Sequence, residues 1–242
     1  MSTPNRRCWA ESLGGCSGLS KEHVFSRAAF RQRPRSKIRV VGFAPIPDGP
    51  IGPDSPKAKV LCGHHNSLLS ILDSEVAKVT EPMLDFYNDR VDRSVTVSGP
   101  LFERWIFKVA VNFMSAGYAE LNRWVADEEL VRFVFGQAVL QPPLGMYMLR
   151  EWDTGLGPPP EHMGVRPVYF GHSLEDAELV GAVVTYHGIS FLACMDARFD
   201  DLLASRPVGF PIRPESLSYH PAAAVVNSRS AGTQFRLNFE WP

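Results

Sequence analysis

The sequence contains few cysteines and lacks any long apolar run. There are only four cysteines among 242 residues, and no stretch approaches the roughly 18 uninterrupted apolar residues of a membrane-spanning helix. The first residues, MSTPNRRCWAESLGG, are basic but are not followed by the apolar core of a secretory signal. From these absences we expect a cytoplasmic protein. In a reducing cytosol, cysteines serve as thiols or metal ligands more often than as disulfides.

The sequence also has little net charge, but this charge is unevenly distributed. The formal net charge is −1, which argues against a nonspecific nucleic-acid binder. Residues 1–60, however, hold eleven lysines and arginines against four acids, a balance of +7, and the remaining residues carry −8. A basic N-terminal segment is typical of a surface that faces a polyanion. A solvated basic face explains the same pattern equally well.

The apolar pattern predicts both helices and strands. Apolar residues recur at three- and four-residue steps from Asn66 onwards, which predicts an amphipathic helix that Pro82 bends or ends. Further helices are predicted over 101–122 and 126–137, and strands over 37–43, 59–62, 166–173, 178–188, 189–196 and 232–241. A proline-rich loop is expected over 45–56. We therefore predict the α+β class, with a first domain over 1–92 and a second, of helices and an antiparallel sheet, over 93–242.

Two pairs of metal-ligating residues lie in the N-terminal segment. Cys8 and Cys16 are separated by seven residues that include a Gly-Gly turn, and Cys62 and His65 have C-x-x-H spacing. Three thiolates and one imidazole make a tetrahedral ligand set suited to structural Zn²⁺, with His64 as a weaker substitute for His65. A small domain with a proline-rich loop has little core of its own, so a bound metal would stabilise it.

A second polar set consists of Glu22, His23 and Asn66. The stretches LSKEHVFS and VLCGHHN, the second of which opens a helix, resemble the HNH nuclease superfamily, whose ββα-metal motif is often held together by zinc ligands. The resemblance covers about residues 5–90. It implies that His23 is the general base and that Glu22 and Asn66 hold a catalytic divalent cation. No asparagine lies between His23 and Asn66 to match the family's middle residue, so another group would have to orient the base.

These residue types also suit phosphodiester hydrolysis on chemical grounds. The Glu22 carboxylate and the Asn66 amide offer the oxygen ligands that Mg²⁺ or Mn²⁺ prefers, and a neutral imidazole can remove a proton from water. Asp73 shares the helix face of Asn66 and is expected to be either an outer partner of the site or, like Glu75, a solvated charge. The predicted function is that of an HNH-type endonuclease that cleaves DNA rather than RNA.

Plainer interpretations of the same residues stay open. Asn66 can cap the helix that it begins, and Glu22 and His23 can be an ordinary surface pair. The chain would then be a catalytically inactive zinc module that binds nucleic acid or a protein through the basic segment 6–39. A third alternative is an enzyme of another class whose site lies in the second domain.

The second half of the sequence shows no catalytic set. Its four histidines lack metal-ligand spacing and are interpreted as structural: His162, His172, His187 and His220. Cys194 lies in an apolar strand and is interpreted as a small buried hydrophobe. The stretch FERWIFK (102–108) is expected to be a core helix with charged residues at one edge. This domain is predicted to select substrate or to bind a partner protein or a second copy of the chain, and no membrane partner is expected.

Overall fold

The computed structural model describes residues 7–26, 38–40, 49–51, 57–118, 124–149, 163–170, 178–205, 216–227 and 232–242. The α-helices within these ranges are α1 (Gly63–Leu68), α2 (Ser70–Asp89), α3 (Gly99–Ser115), α4 (Glu128–Val134) and α5 (Phe199–Ser205). None of these helices combines the length and the apolar character that a membrane crossing requires.

The described strands form several sheets. In chain order they are β1 (Leu19–His23), β2 (Ile38–Val40), β3 (Gly49–Ile51), β4 (Lys57–Cys62), β5 (Arg93–Ser98), β6 (Gly145–Leu149), β7 (Gly164–Phe170), β8 (Glu178–Tyr186), β9 (Ile189–Cys194), β10 (Leu217–Tyr219), β11 (Ala223–Asn227) and β12 (Gln234–Glu240). The largest sheet has the order β10-β6-β9-β8-β7 and is antiparallel throughout, whereas a second has the order β11-β12-β5 and contains one parallel pair. The predicted α+β class is confirmed.

Strands β1 and β4 and helix α1 carry most of the predicted site. The two strands are antiparallel, with Leu19 opposite Cys62 and His23 opposite Lys57. Helix α1 begins directly after β4, and Cys62 is its N-cap residue. The helix predicted from Asn66 is therefore two helices, α1 and α2, of which the first begins earlier than expected. Between β1 and β4 the chain forms the short antiparallel pair β2–β3, so the predicted loop over 45–56 contains a strand that the sequence did not reveal.

Helix α2 continues through Pro82, so of the two expected effects the proline does not end the helix, and a bend there stays a prediction. Buried Val79, Met83 and Phe86 lie on both sides of the proline and pack into the core. Burying these side chains outweighs the loss of one backbone hydrogen bond. The helix ends at Asp89, and its C-cap residue, Arg90, takes a left-handed conformation with φ of 53°.

Helix α3 lies at the centre of the hydrophobic core. Its N-terminus is capped by Ser98, whose hydroxyl accepts a hydrogen bond from the N–H of Leu101 at 3.4 Å. The helix packs against α2, α4, β5 and strands of the largest sheet, and most of its side chains are buried, as its apolar composition predicts. The predicted end at residue 122 is wrong. The helix ends at Ser115 because Gly117, with φ of 75°, turns the chain away.

The β8–β9 hairpin confirms a turn that the sequence predicts. His187 and Gly188, between the two strands, have φ of 47° and 79°, and positive φ at both central residues is what a two-residue hairpin turn requires. The final predicted strand is confirmed by β12. The helix predicted over 126–137 is shorter, because Asp127 caps α4 through a 2.7 Å hydrogen bond from the Leu130 N–H.

The stretch around residue 92 forms part of a sheet. It contains β5, which pairs in parallel with β12 from the other end of the chain. One cluster of buried hydrophobic residues includes Cys62 and Leu72 together with Trp105 and Phe235. The division into 1–92 and 93–242 stays a prediction, but hydrophobic packing is continuous across it.

Candidate metal centre and its polar neighbours

Four predicted zinc ligands come together beside the N-terminus of α1. Cys8 precedes a short 3-10 turn, Cys16 follows Gly14 and Gly15, and Cys62 ends β4. The two glycines have φ of 73° and 67°, a conformation that other residues rarely adopt, and this lets the chain turn back towards β4. Two backbone hydrogen bonds of 3.0 Å fasten the segments together, from Trp9 N–H to the Val60 carbonyl and from Gly63 N–H to the Gly18 carbonyl.

The ligand atoms have the spacing of a tetrahedral metal site. The sulfur atoms of Cys8, Cys16 and Cys62 and the ring nitrogen of His65 all lie within 4.8 Å of one another. Nδ1 of His65 is 3.3 Å, 3.7 Å and 3.2 Å from these three sulfurs. Zinc bonds of about 2.3 Å to sulfur and about 2.0 Å to nitrogen would separate the ligand atoms by roughly 3.5 Å. The group could therefore hold a metal ion such as zinc, as predicted.

Nearby backbone N–H groups approach two of the cysteine sulfurs. The N–H groups of His65 and Cys62 approach the sulfurs of Cys62 and Cys8, each at 3.4 Å. Burial raises the pKa of the Cys62 thiol, but hydrogen bonds from His65 and Ser17 outweigh it and bring that pKa down to about 7. Burial lowers the pKa of the His65 ring, and the nearby backbone of Gly14 offsets this in part.

The metal centre packs directly against the second half of the chain. The rings of Trp9 and His65 lie 5.7 Å and 5.4 Å from that of Phe135, which follows α4. His64, the weaker candidate ligand, is exposed and does not belong to the ligand group. Cys194 is also distant from the group; it is fully buried in a separate hydrophobic cluster, as expected for a small apolar residue.

The second predicted set brings Glu22 and Asn66 together. The Asn66 side chain lies close enough to the Glu22 carboxylate to lower its pKa, and Asn66 is half-buried in α1 directly after His65. Glu22 itself is only 6% exposed. Burial raises the pKa of its carboxyl, and the nearby Lys108 ammonium lowers that pKa only in part.

His23 occupies a different position from its neighbour. It is half-buried at the end of β1. Successive side chains of a strand point to opposite faces, so the imidazole of His23 leaves β1 on the side away from the Glu22 carboxylate. Its role as a general base stays a prediction.

Lys108 is a member of this site that sequence analysis missed. It is 0% exposed, and its Nζ lies 3.2 Å from Oε1 of Glu22 and 2.9 Å and 3.0 Å from the two oxygens of Asp73. Lys108 was visible as a charged residue in an apolar helix. A lysine buried in an apolar helix requires an oppositely charged partner, but the sequence does not identify that partner.

Asp73 links the ammonium to two further side chains. It accepts a hydrogen bond from the Ser26 hydroxyl, and the Trp105 indole N–H donates to Ser26 Oγ at 2.7 Å. Asp73 is thus joined to Glu22 through the shared Lys108 ammonium, and its role as an outer partner of a metal site stays a prediction. Glu75, expected to be a solvated charge, is instead 5% exposed and accepts a 2.7 Å hydrogen bond from the Ser98 N–H, because α2 buries this face against β5.

Neither described histidine of the second half, His187 or His220, belongs to the metal-ligand group. His162 and His172 lie outside the described residues. His220 places Nε2 3.0 Å from Oε1 of Glu103 and stacks between the rings of Tyr219 and Trp241, each 3.9 Å away. Of the basic segment 6–39, Arg7 and Lys21 are described and exposed.

Comparisons with known proteins identify no relative. No protein-family model matches the chain, and neither the curated proteins nor the solved structures include a significant match. Function therefore has to be inferred from the geometry of these residues.

Proposed function

We propose that this chain is an HNH-type endonuclease that hydrolyses phosphodiester bonds, in DNA rather than RNA, at a site fastened by a structural zinc. The observation that carries the proposal is the packing of α1, which bears Asn66, against β1, which bears Glu22, immediately beside the Cys8, Cys16, Cys62 and His65 group. A metal bound by that group would fix the start of α1, the helix that brings Asn66 next to the Glu22 carboxylate.

The two metals would bind to different ligand chemistry. The three thiolates and the imidazole suit zinc, whereas the oxygen ligands of Glu22 and Asn66 suit Mg²⁺ or Mn²⁺, which usually keep several waters and need few protein ligands. Such a cation supplies charge stabilisation to the phosphate under attack. His23 would take the proton of the attacking water, which requires its imidazole to turn towards the Glu22 side of β1.

The test is a plasmid-nicking assay with Mg²⁺ or Mn²⁺ on the intact chain. We expect His23→Ala to abolish nicking while zinc content and melting temperature stay unchanged. His64→Ala is the matched control, because His64 is exposed and outside the ligand group, and it should retain nicking. Equal cleavage by His23→Ala and wild type would overturn the assignment of His23.

A second candidate function is a zinc-stabilised binding module without catalysis. The contact that favours it is the one between Lys108 and Glu22, because the ammonium occupies one oxygen of the carboxylate that the cation would need. This candidate predicts stoichiometric zinc, DNA or protein binding through the basic segment, and no cleavage with any divalent metal. For DNA, that binding would weaken steeply with salt.

A further inference from the structure

The ammonium of Lys108 has its hydrogen-bonding capacity matched by two carboxylates. An ammonium group has three protons to donate, and three carboxylate oxygens lie within 3.2 Å of Nζ: Oε1 of Glu22 and both oxygens of Asp73. Lys108 is wholly buried, so water does not compete for these protons. The contact joins β1, α2 and α3 at one point.

This contact fixes the orientation of Glu22 beside Asn66. Lys108 holds Oε1 of the carboxylate, and Asn66 on α1 is a close neighbour of the same carboxylate. Asp73, which shares the ammonium, is in turn held by the Ser26 hydroxyl, and Ser26 is held by Trp105 of α3. Two residues of α3 therefore anchor the group that presents the Glu22 carboxylate to Asn66.

We propose that Lys108 is a positioning residue of the Glu22–Asn66 site, so that α3, in the second half of the chain, completes the site formed by the first half. This inference rests on the proposed function. Lys108 is wholly buried and acts through Glu22. Groups that orient a metal ligand typically alter metal affinity by roughly 10–100-fold when they are removed.

A purely structural role for Lys108 predicts a different result. If the ammonium only neutralises buried charge, then removing it together with one negative partner should restore the fold and leave the cation site unchanged. The double variant Lys108→Met/Asp73→Asn does this, and it also avoids leaving Asp73 as an unpaired buried charge. The matched control is Lys78→Met, which breaks the 2.8 Å pair of an exposed lysine with Glu75 on the same helix as Asp73.

The experiment compares wild type, the double variant and Lys78→Met for zinc content, melting temperature and nicking as Mn²⁺ is titrated. We expect the double variant to keep its zinc and unfold cooperatively, yet to need roughly 10–100-fold more Mn²⁺ for half-maximal nicking. Its rate at saturating Mn²⁺ should fall less, and Lys78→Met should match wild type. Calorimetric titration with Mn²⁺ should show the same loss of affinity without relying on activity.

Different results would overturn the role of Lys108 and the nuclease proposal. An unchanged or lower Mn²⁺ requirement in the double variant, or its failure to fold, assigns Lys108 to the fold alone and overturns the inference, while the nuclease proposal stands. No cleavage by wild type with any divalent metal overturns the nuclease proposal, and the positioning role is then overturned with it.

Discussion

The indole Nε1 of Trp9 donates a hydrogen bond to Oδ1 of Asn112 at 2.9 Å. Trp9 follows the first predicted zinc ligand, and Asn112 is fully buried in the last turn of α3. The segment that carries the candidate metal ligands is thus hydrogen-bonded to α3. We therefore expect that loss of the metal lowers the stability of the whole fold and not only of the N-terminal segment.

Cys62→Ser should remove zinc and lower the stability of the whole chain. We expect a loss of at least about 3 kcal/mol, or roughly 6–12 °C in Tm, because the metal closes the contacts around α1 and α3. Metal analysis and thermal unfolding provide the measurement. Cys194→Ala, a buried cysteine outside the ligand group, should retain stoichiometric zinc. A Cys62→Ser protein with full zinc content would contradict the assigned ligand set.

Ser26→Ala should weaken the network around Lys108. Ser26 is 1% exposed and accepts the N–H of fully buried Trp105, so alanine leaves this indole without an acceptor. The cost of a buried unsatisfied donor is about 1–3 kcal/mol, measurable by urea denaturation. Ser74→Ala removes only an exposed hydroxyl on α2 and should stay within about 0.5 kcal/mol of wild type. A Ser26→Ala protein as stable as that control would show that the indole finds another partner.

Glu22→Gln should make the metal-free site more stable at neutral pH. Burial raises the pKa of Glu22 in the folded state, so folding favours the protonated carboxyl and the ionised form costs stability above that pKa. Glutamine is neutral and keeps an oxygen for Lys108. We expect its advantage in thermal unfolding to be largest at neutral and alkaline pH and to vanish as the pH falls and Glu22 takes up a proton. A Glu22→Gln protein that is less stable than wild type at neutral pH would contradict this prediction.

Gly181→Ala tests the packing of the largest sheet. A Cβ atom at this position would lie 2.5 Å from the backbone carbonyl oxygen of Ala193 on the neighbouring strand. The backbone of a paired strand cannot move aside as a flexible side chain can. We therefore expect the free energy of unfolding, measured by chemical denaturation, to fall by about 1–3 kcal/mol. At Gly18 an added Cβ meets nothing within 4 Å, and Gly18→Ala should therefore change stability by less than about 0.5 kcal/mol.

Features encoded by neighbouring residues could be predicted from the sequence. The His187-Gly188 turn follows from two adjacent strand patterns, and the Cys62-x-x-His65 spacing places both ligands at the start of one helix. Contacts between distant segments could not be predicted in this way. The parallel pairing of β5 with β12 joins residues from far apart in the chain, and the choice of Glu22 and Asp73 as partners of Lys108 depends on how α3 packs between them.

At two positions tertiary packing also outweighs the local preference of the sequence. Pro82 favours a helix end, but buried side chains on both sides of it keep α2 continuous. Glu75 has the sequence context of a surface charge, yet it is buried against β5 and bonded to Ser98. In both cases tertiary burial outweighs the local preference.

The most direct measurement is anomalous X-ray diffraction from crystals soaked in Mn²⁺, with data collected at the zinc and manganese edges. The account predicts a zinc peak among Cys8, Cys16, Cys62 and His65, and a manganese peak between the Glu22 carboxylate and the Asn66 amide. A manganese peak elsewhere, or none at all with Lys108 still bonded to Glu22, would contradict the proposed catalytic site.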